Sequence, residues 1–366
     1  MTRRPRQDDP RRDPTLLAAI ARVAPGTELR QGTDDIIRSH SGALIVIGEP
    51  SELEFMFSGG MRLDLAFTPQ LLYELAKMDG AIIIDSALST LAYANVQLIA
   101  DPAIPSAETG TRHRTAERVA KQTDALVISI SQQRETVTLF VGQRRYQLDP
   151  IADVLAKTNQ ALATVETYRQ RLEQVLTRLT ALEFQNAVML DDVLVVVQRA
   201  EMTTRMAAEV ERDFVELGSE GRMIRIQLEE LMADVPKEKD AVLFDYHAGN
   251  GEVRVEEMLE GLAALSYKQL LELEELAELL AYPRTVNPLD YAVTPRGLRV
   301  LSQIPRLPEI VVQRVVGDLE SLDAILRASG RELEAVEGVG QARAREIREG
   351  LRRLQEHNLV DRYLQL

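Results

Sequence analysis

The chain has 366 residues, 45% hydrophobic but only 4% aromatic, a length and composition that predict about two or three domains, rich in helix and packed through Leu, Ala, Ile and Val. It has no cysteine, which excludes disulfides and Cys-based zinc sites, and its histidines stand apart at 40, 113, 247 and 357, so any metal must be held by oxygens. Nearly all of the net charge of −14 falls in the middle of the chain, which argues against nucleic acid lying along that segment and leaves the arginine-rich C-terminal part eligible.

Residues 1–14, MTRRPRQDDPRRDP, mix charge with proline and show no apolar period, so they read as a disordered tail. Arg22 interrupts LLAAIARVA where a signal peptide needs its hydrophobic region, and no apolar run approaches the roughly 20 residues that span a bilayer. A cytoplasmic location with no membrane partner is expected. Over 15–150, short β-branched runs (GALIVIG, AIIID, ALVISIS, VTLFVG) read as buried strands, and PQLLYELAKMD and TAERVAKQTD as helices between them. This predicts an α/β domain with a mixed sheet flanked by helices. Gly59 and Gly60 in FMFSGGMRLDL read as a turn between two strands rather than as a phosphate loop.

From 151 the period changes. Ile151, Leu155, Thr158, Leu162, Val165, Leu172, Leu176 and Leu179 follow a heptad-like seam on a long helix. Further helical stretches run through about 187–233 and 254–281, broken by DVPKEKD and HAGNG. Residues 151–284 therefore read as an all-α spine, YPRTVNPLD as a linker, and 285–366 as a domain of short helices and tight turns. The Leu and Val stripe is helix packing, not a cofactor site.

No GxxxxGK[ST], no helix-opening GxGxxG and no HExxH occurs. The positive signal is GTRHRTAERVAKQT at 110–123. Thr111 and Thr115 lie four apart, as do Arg114 and Arg118, so their side chains gather around the first turn of a helix. Free backbone N–H groups and the positive dipole end sit there too, and arginine forks, hydroxyls and His113 add donors that match phosphate oxygens. The blander reading is a Thr cap followed by a solvated basic turn. The context favours a site: Asp79 and Gly80 begin one predicted strand, Ser131 and Arg134 end another, and sites in α/β layers form at strand ends.

These stretches resemble the diadenylate cyclase domain, whose DGA and RHR motifs are matched by Asp79, Gly80 and Ala81 and by Arg112, His113 and Arg114. After residue 15 nearly the whole chain is similar to the DNA integrity scanning family, which joins that domain to a helical linker and a C-terminal helix-hairpin-helix domain. The resemblance implies condensation of two ATP into cyclic di-AMP with release of two pyrophosphates. It implies a homo-octamer with paired cyclase domains, and Mg²⁺ or Mn²⁺ as cofactor. Asp79 would activate the ribose 3′-hydroxyl as base, metal ligand or both. Thr111, Arg112, His113, Arg114, Thr115, Ser131 and Arg134 match phosphate-binding positions, Gly80 fits close approach to the nucleotide, and the backbone of Leu98 matches the adenine-reading position. A two-fold symmetric product and one triphosphate clamp per domain require two domains to face each other.

The second motif is the run Val336, Glu337, Gly338, Val339, Gly340, then Ala344 and Ile347, which fits the helix-hairpin-helix pattern hxGhGxxxAxxh. Its glycines let a hairpin expose N–H groups to a DNA phosphate, and Arg343, Arg345 and Arg348 are the candidate side-chain contacts. Such contacts read backbone and shape, and branched DNA is the expected partner. A structural hairpin or a protein-binding module would use the same pattern. Upstream, IPRLPEIVVQRVV resembles a degenerate first hairpin with Arg306 and Pro308 in place of the glycines. Two other functions compete with a DNA-responsive cyclase: a non-catalytic ATP-sensing, DNA-binding scaffold, which would not need Asp79, and a helical adaptor, which leaves the polar cluster at 111–134 unexplained.

Overall fold

The computed structural model describes residues 13–249 and 254–364. The tail reading of residues 1–12 and the end of the HAGNG break lie outside the described residues. Asp13 and Pro14 do not belong to a tail: the Asp13 carboxylate accepts from the Thr15 N–H and caps α1 (Pro14–Arg22). The chain divides into two compact units, one running to Gln160 with Glu209–Ile226, the other made of Ala161–Ala208 and the chain from Gln227 onward. This division differs from the expected three segments, because Glu209–Ile226 of the spine packs in the first unit and no unit boundary falls at 284.

In the first unit α1 is followed by α2 (Glu28–Arg38), β1 (Ala43–Ile47), α3 (Pro50–Leu53), β2 (Phe57–Ser58), β3 (Met61–Ala66), α4 (Pro69–Leu75), β4 (Ala81–Ile84), β5 (Thr90–Leu98), α5 (Thr111–Gln122), β6 (Leu126–Ser131), β7 (Thr136–Val141) and β8 (Arg144–Gln147). The sheet order is β2-β5-β4-β1-β6-β7-β8, with β3 also on β5. Only β1 and β4 run parallel, so the sheet is mixed, as expected. Because side chains alternate across a strand, Ile45, Ile47, Ile128 and Ile130 join the core under α1, α2 and α4. Leu44, Val46, Val127 and Phe140 join the opposite core, with Ala116, Val119 and Ala120 of α5. Burial on both faces is why these strands read as unbroken apolar runs.

The Gly59-Gly60 pair is not a hairpin turn. β2 and β3 both lie antiparallel to β5, so the two glycines, with φ of 69° and 101°, kink one interrupted edge strand.

The helical part comprises α6 (Ile151–Gln185), α7 (Leu190–Leu217), α8 (Arg222–Met232), α9 (Val235–Tyr246), α10 (Val255–Ala264), α11 (Tyr267–Leu270) and α12 (Leu273–Leu279). Along α6 the seam residues Thr158, Leu162, Val165, Leu172, Leu176 and Leu179 are buried, whereas Ile151 and Leu155 are half-buried and Val154 is buried beside them. DVPKEKD does not interrupt the helical run for long. Pro236 sits in the first turn of α9, where its missing N–H costs nothing.

The chain continues with α13 (Leu298–Ser302), α14 (Glu309–Leu319), α15 (Leu322–Arg327), α16 (Gly330–Ala335) and α17 (Gln341–Leu364). One buried polar network sets the start of α13. The Asp245 carboxylate accepts from the backbone N–H groups of Gly297, Leu298 and Arg299 at 2.8–2.9 Å, supplying the acceptors that the helix start lacks. The Arg299 side chain is 2% exposed and donates to Glu183, which is fully buried, to Thr180 Oγ1 at 2.7 Å and to Glu238 at 3.4 Å. Tyr246 donates a further bond to Glu183 at 2.8 Å.

Removing one member of a buried pair leaves the other charge uncompensated. Arg299→Met is therefore expected to cost about 3–5 kcal/mol in urea denaturation, and the double variant Glu183→Leu/Arg299→Met distinctly less.

Candidate active site and nucleic-acid interface

Strand register brings Asp79, Gly80, Leu98, Ser131 and Arg134 to one end of the sheet. β1 starts beside β4, with Leu44 opposite Ala81, so Gly42 and the Asp79-Gly80 turn share an edge. Antiparallel β6 ends there, with Ile130 opposite Ala43, followed by Ser131 and Arg134. Antiparallel β5 also ends there, with Val96 opposite Ala81 and Leu98 beyond. From β5 through β4 and β1 to β6 is three strand spacings, about 14 Å, so Leu98 and Ser131 stand at two ends of a shelf along the sheet edge.

Helix α5 closes this shelf. Arg112 donates from Nη1 to the Ile130 carbonyl at 3.3 Å, and a Cβ at Gly42 would overlap that same Nη1, so the glycine makes room for the guanidinium. The helix begins at Gly110 without a side-chain cap and carries no acidic residue in its first turn. The expected alternative of a threonine cap does not hold, and the N–H groups of the first turn have no side-chain acceptor. His113 is half-buried, with its ring edge-on to Phe140 at 6.4 Å. Thr111 is exposed and Thr115 half-buried on the same turn. Arg134 is exposed in the β6–β7 turn, and its N–H donates to Ser131 Oγ at 3.3 Å.

The arginines do not all gather at the first turn as the four-residue spacing suggests. Arg114 donates to the Glu108 and Thr109 carbonyls, and Arg118 to the Ile104 and Pro102 carbonyls. Arg114 keeps other N–H donors of its five for a ligand, whereas Arg118 points along the preceding loop.

Gly80 is forced by geometry. Its φ is 99°, and a Cβ there would lie 2.8–3.0 Å from the Asn95 and Val96 backbone. Asn95 itself has a φ of 56° where the β4–β5 register shifts. Asp79 is exposed just before this close approach. Among the described residues no three His, Asp or Glu side chains gather into a metal-holding group. A lone exposed carboxylate fits a hard divalent cation that takes its other oxygens from a bound phosphate and water.

Sequence reasoning missed Gly42, Asn95, Glu108 and Arg145. Glu108 pairs with Arg145 at 2.5 Å, and both act on His113. Burial holds the His113 ring below its ordinary 6.5, aided by Arg145, Arg112 and Arg134 and opposed by Glu108. No short sequence motif marks these four, because each acts through a partner distant in the chain.

A groove of about 1260 Å³ lies in the second unit, with Arg169, Lys237, Glu238 and Gln313 in its walls; none of the expected site residues lines it. The C-terminal motif spans the turn between α16 and α17. Val336, Val339, Ala344 and Ile347 are buried, and Gly338, with φ 85°, and Gly340 are exposed. Arg343 donates to the Gly338 carbonyl at 2.6 Å, while Arg345 and Arg348 are exposed along α17. In the upstream counterpart Arg306 adopts a φ of 65°, the conformation that Gly338 has, and Pro308 caps α14 without an N–H to offer.

Residues 30–145 match the family model for the nucleotide-binding domain of the DisA bacterial checkpoint controller, and residues 148–289 the model for its linker region. The chain is 47% identical over 345 residues to the DNA integrity scanning protein DisA of Carboxydothermus hydrogenoformans, covering 94% of this chain and 98% of that one. It is 46% identical over 353 residues to the protein of that name from Frankia alni, covering 96% and 98%. Among solved structures, DacA from Staphylococcus aureus aligns with 36% of this chain and 85% of its own at 22% identity, with a TM-score of 0.26.

The His113 environment is testable without any ligand. Its ring should titrate below 6.5 in a histidine NMR titration, and Arg145→Met, which removes a cation and frees Glu108, should move the midpoint up. Stability conferred by the neutral ring is present above pH 6.5 and lost as the pH falls through the lower folded value.

Proposed function

Because this chain belongs to the family of the DNA integrity scanning protein DisA, we propose how its parts divide one task between ATP and DNA. The chain is a diadenylate cyclase, a nucleotidyltransferase that acts on ATP. The observation that carries the site assignment is the register that puts Asp79, Gly80, Leu98, Ser131, Arg134 and the start of α5 at one end of the sheet.

On this reading one ATP lies along the shelf, its adenine at the Leu98 backbone and its triphosphate at Thr111, Arg112, His113, Arg114, Thr115, Ser131 and Arg134. The ribose 3′-oxygen attacks the α-phosphorus of an ATP held by a second copy. A bond forms from O3′ to phosphorus, the bond to the bridging oxygen breaks, and pyrophosphate leaves. Two such steps close the ring. Asp79 accepts the hydroxyl proton or orients the hydroxyl, and the cations neutralise charge that builds on the departing pyrophosphate. A divalent cation, Mg²⁺ or Mn²⁺, would supply further neutralisation, with Asp79 as its protein ligand.

One clamp per domain requires a two-fold partner, and exposed apolar side chains support self-association: Met78 beside Asp79, and Met61 and Leu65 on β3, are each more than 40% exposed. We take the assembly to be a homo-octamer. Among the described residues no helix is long and apolar enough to cross a membrane, and the proposed location is the cytoplasm. The domain division of the proposal is cyclase over 15–150, linker over 151–284 and DNA-binding domain over 285–366.

DNA, in the proposal a branched one, meets the second hairpin at Gly338, Val339 and Gly340, with Arg343, Arg345 and Arg348 alongside. Its binding alters cyclase activity through differential affinity for two states of the assembly.

Purified protein incubated with ATP and Mg²⁺ or Mn²⁺ should yield cyclic di-AMP by chromatography, and Asp79→Asn should lower the rate at least about 100-fold. No product with either metal would overturn the reading. A Cβ at Gly340 meets no atom within 4 Å, so Gly340→Val should leave the fold intact and weaken branched-DNA binding about tenfold by blocking phosphate approach. Arg345→Met should flatten the salt dependence of binding by about one unit of slope. Unchanged affinity in the glycine variant refutes the hairpin as the DNA contact.

A further inference from the structure

The connection from β5 to α5 spans residues 99–110, and not one of them is buried. Ala100, at its start, packs against the apolar core under α5, and beyond it no residue of the segment belongs to a core cluster. Yet the segment runs back along α5 from the C-terminal end of the helix to its start, bonded at nearly every step. The Asp101 N–H donates to Gln122 Oε1 at 3.0 Å. Arg118 donates to the Pro102 and Ile104 carbonyls, both at 3.0 Å, and Lys121 to the Pro105 carbonyl at 2.9 Å. Glu117 accepts from Ser106 Oγ at 2.5 Å and from the Ala107 N–H at 3.1 Å, while its other oxygen takes Lys121 Nζ at 2.7 Å. Arg114 finishes the series at Glu108 and Thr109.

Residues 114, 117, 118, 121 and 122 fall at helical spacing on one face. Such a stripe normally faces water. Here its polar atoms replace a hydrophobic seam, and Glu117 and Lys121 are only 13% and 15% exposed. Polar contacts of this kind contribute little to global stability, so their role is local order in a connection far longer than compact α/β units use.

We infer that Glu117, Arg118 and Lys121 are positioning residues that staple loop 101–107 to α5 and thereby fix the spacing between the adenine end and the phosphate end of the nucleotide shelf. The inference rests on the ATP reading above, because the loop joins Leu98 directly to Thr111. None of the three touches the nucleotide. Their effect comes through the loop: a loosened connection lets the two ends of the shelf drift, and the nucleotide must order it on binding.

The test compares wild type, Glu117→Ala, Glu117→Gln and Lys121→Met in the full chain. Three readouts are needed: hydrogen exchange at the Ala107 amide, the Kd for 3′-deoxy-ATP, which can bind but not condense, and KM against kcat for ATP. Glu117→Ala should speed exchange at Ala107 and raise Kd and KM about tenfold, with kcat within about twofold of wild type. Glu117→Gln keeps an oxygen for Ser106 and Ala107 and should recover most of the affinity; Lys121→Met should fall between. Faster exchange with unchanged Kd overturns the inference, as does unchanged exchange in Glu117→Ala. Wild type that binds 3′-deoxy-ATP yet makes no cyclic di-AMP refutes the cyclase reading alone, since exchange and Kd still report on the staple.

Discussion

The seating of α5 on the sheet is the contact on which the rest of the candidate active site depends. Ala116, Val119 and Ala120 are fully buried in one cluster with Leu44, Val46, Val127 and Phe140. Two alanines and a valine let the helix axis come close, and that proximity carries the first turn over the ends of β1 and β6. Arg112 can then reach the Ile130 carbonyl, its guanidinium lying where a Cβ at position 42 would stand. A larger residue at Ala116 or Ala120 would lift the helix and take its whole first turn with it, at a cost of about 1–3 kcal/mol from overpacking alone. The polar face of the same helix holds the loop that leads into it. Core packing, the uncapped first turn and loop order therefore share twelve residues.

A second constraint acts at the other end of the shelf. Gly60, Gly80 and Asn95 all adopt positive φ, and the first two approach the β5 backbone near Asn95 and Val96. Backbone held in this region persists only when surrounding structure determines it. Ile82, Ile83 and Val96, each at most 1% exposed, supply that determination from the adjoining strands. The Asp79 carboxylate thus projects from a turn whose freedom is removed by packing that Asp79 itself takes no part in.

Much of this was legible in the chain. The β-branched runs stand where the strands are, because burial on both sheet faces leaves an unbroken apolar signature, and the α6 seam follows its heptad positions from Thr158 onward. Long-range partners were not legible. Glycines at 59 and 60 announce positive φ, but only the pairing of both flanking segments with β5 distinguishes a kinked edge from a hairpin. Arg299 in GLRVL looks like a surface residue until Glu183 and Glu238, far apart in sequence, enclose it. The stripe from Arg114 to Gln122 looks solvated for the same reason: apart from Ser106 Oγ, its partners in the loop are backbone carbonyls and N–H groups, which no side-chain pattern encodes. Of the expected phosphate contacts, position at the sheet end was predictable; the diversion of Arg118 to the loop was not.

The two helix starts proposed to face ATP and DNA are built alike. α5 and α17 both begin after a glycine, with the fourth residue on bonding back to it (Arg114 N–H to Gly110 O at 2.9 Å, Ala344 N–H to Gly340 O at 3.0 Å), and neither has an acid in its first turn. Asp13, Thr27, Thr68, Ser266, Ser321 and Ser329 cap their helices, and Asp245 serves α13, which also follows a glycine, from another element; α3, α9, α10, α12 and α14 have no side-chain cap but carry an acid in the first turn. An acid or hydroxyl cap contributes about 0.5–2 kcal/mol to a helix, so leaving one out is a cost that folding alone does not repay. A phosphate placed at either start would accept from the same N–H groups and meet the same dipole. At the two starts proposed to face ATP and DNA the preceding residue is a glycine with no side chain to cap the helix, and no acid stands in the first turn.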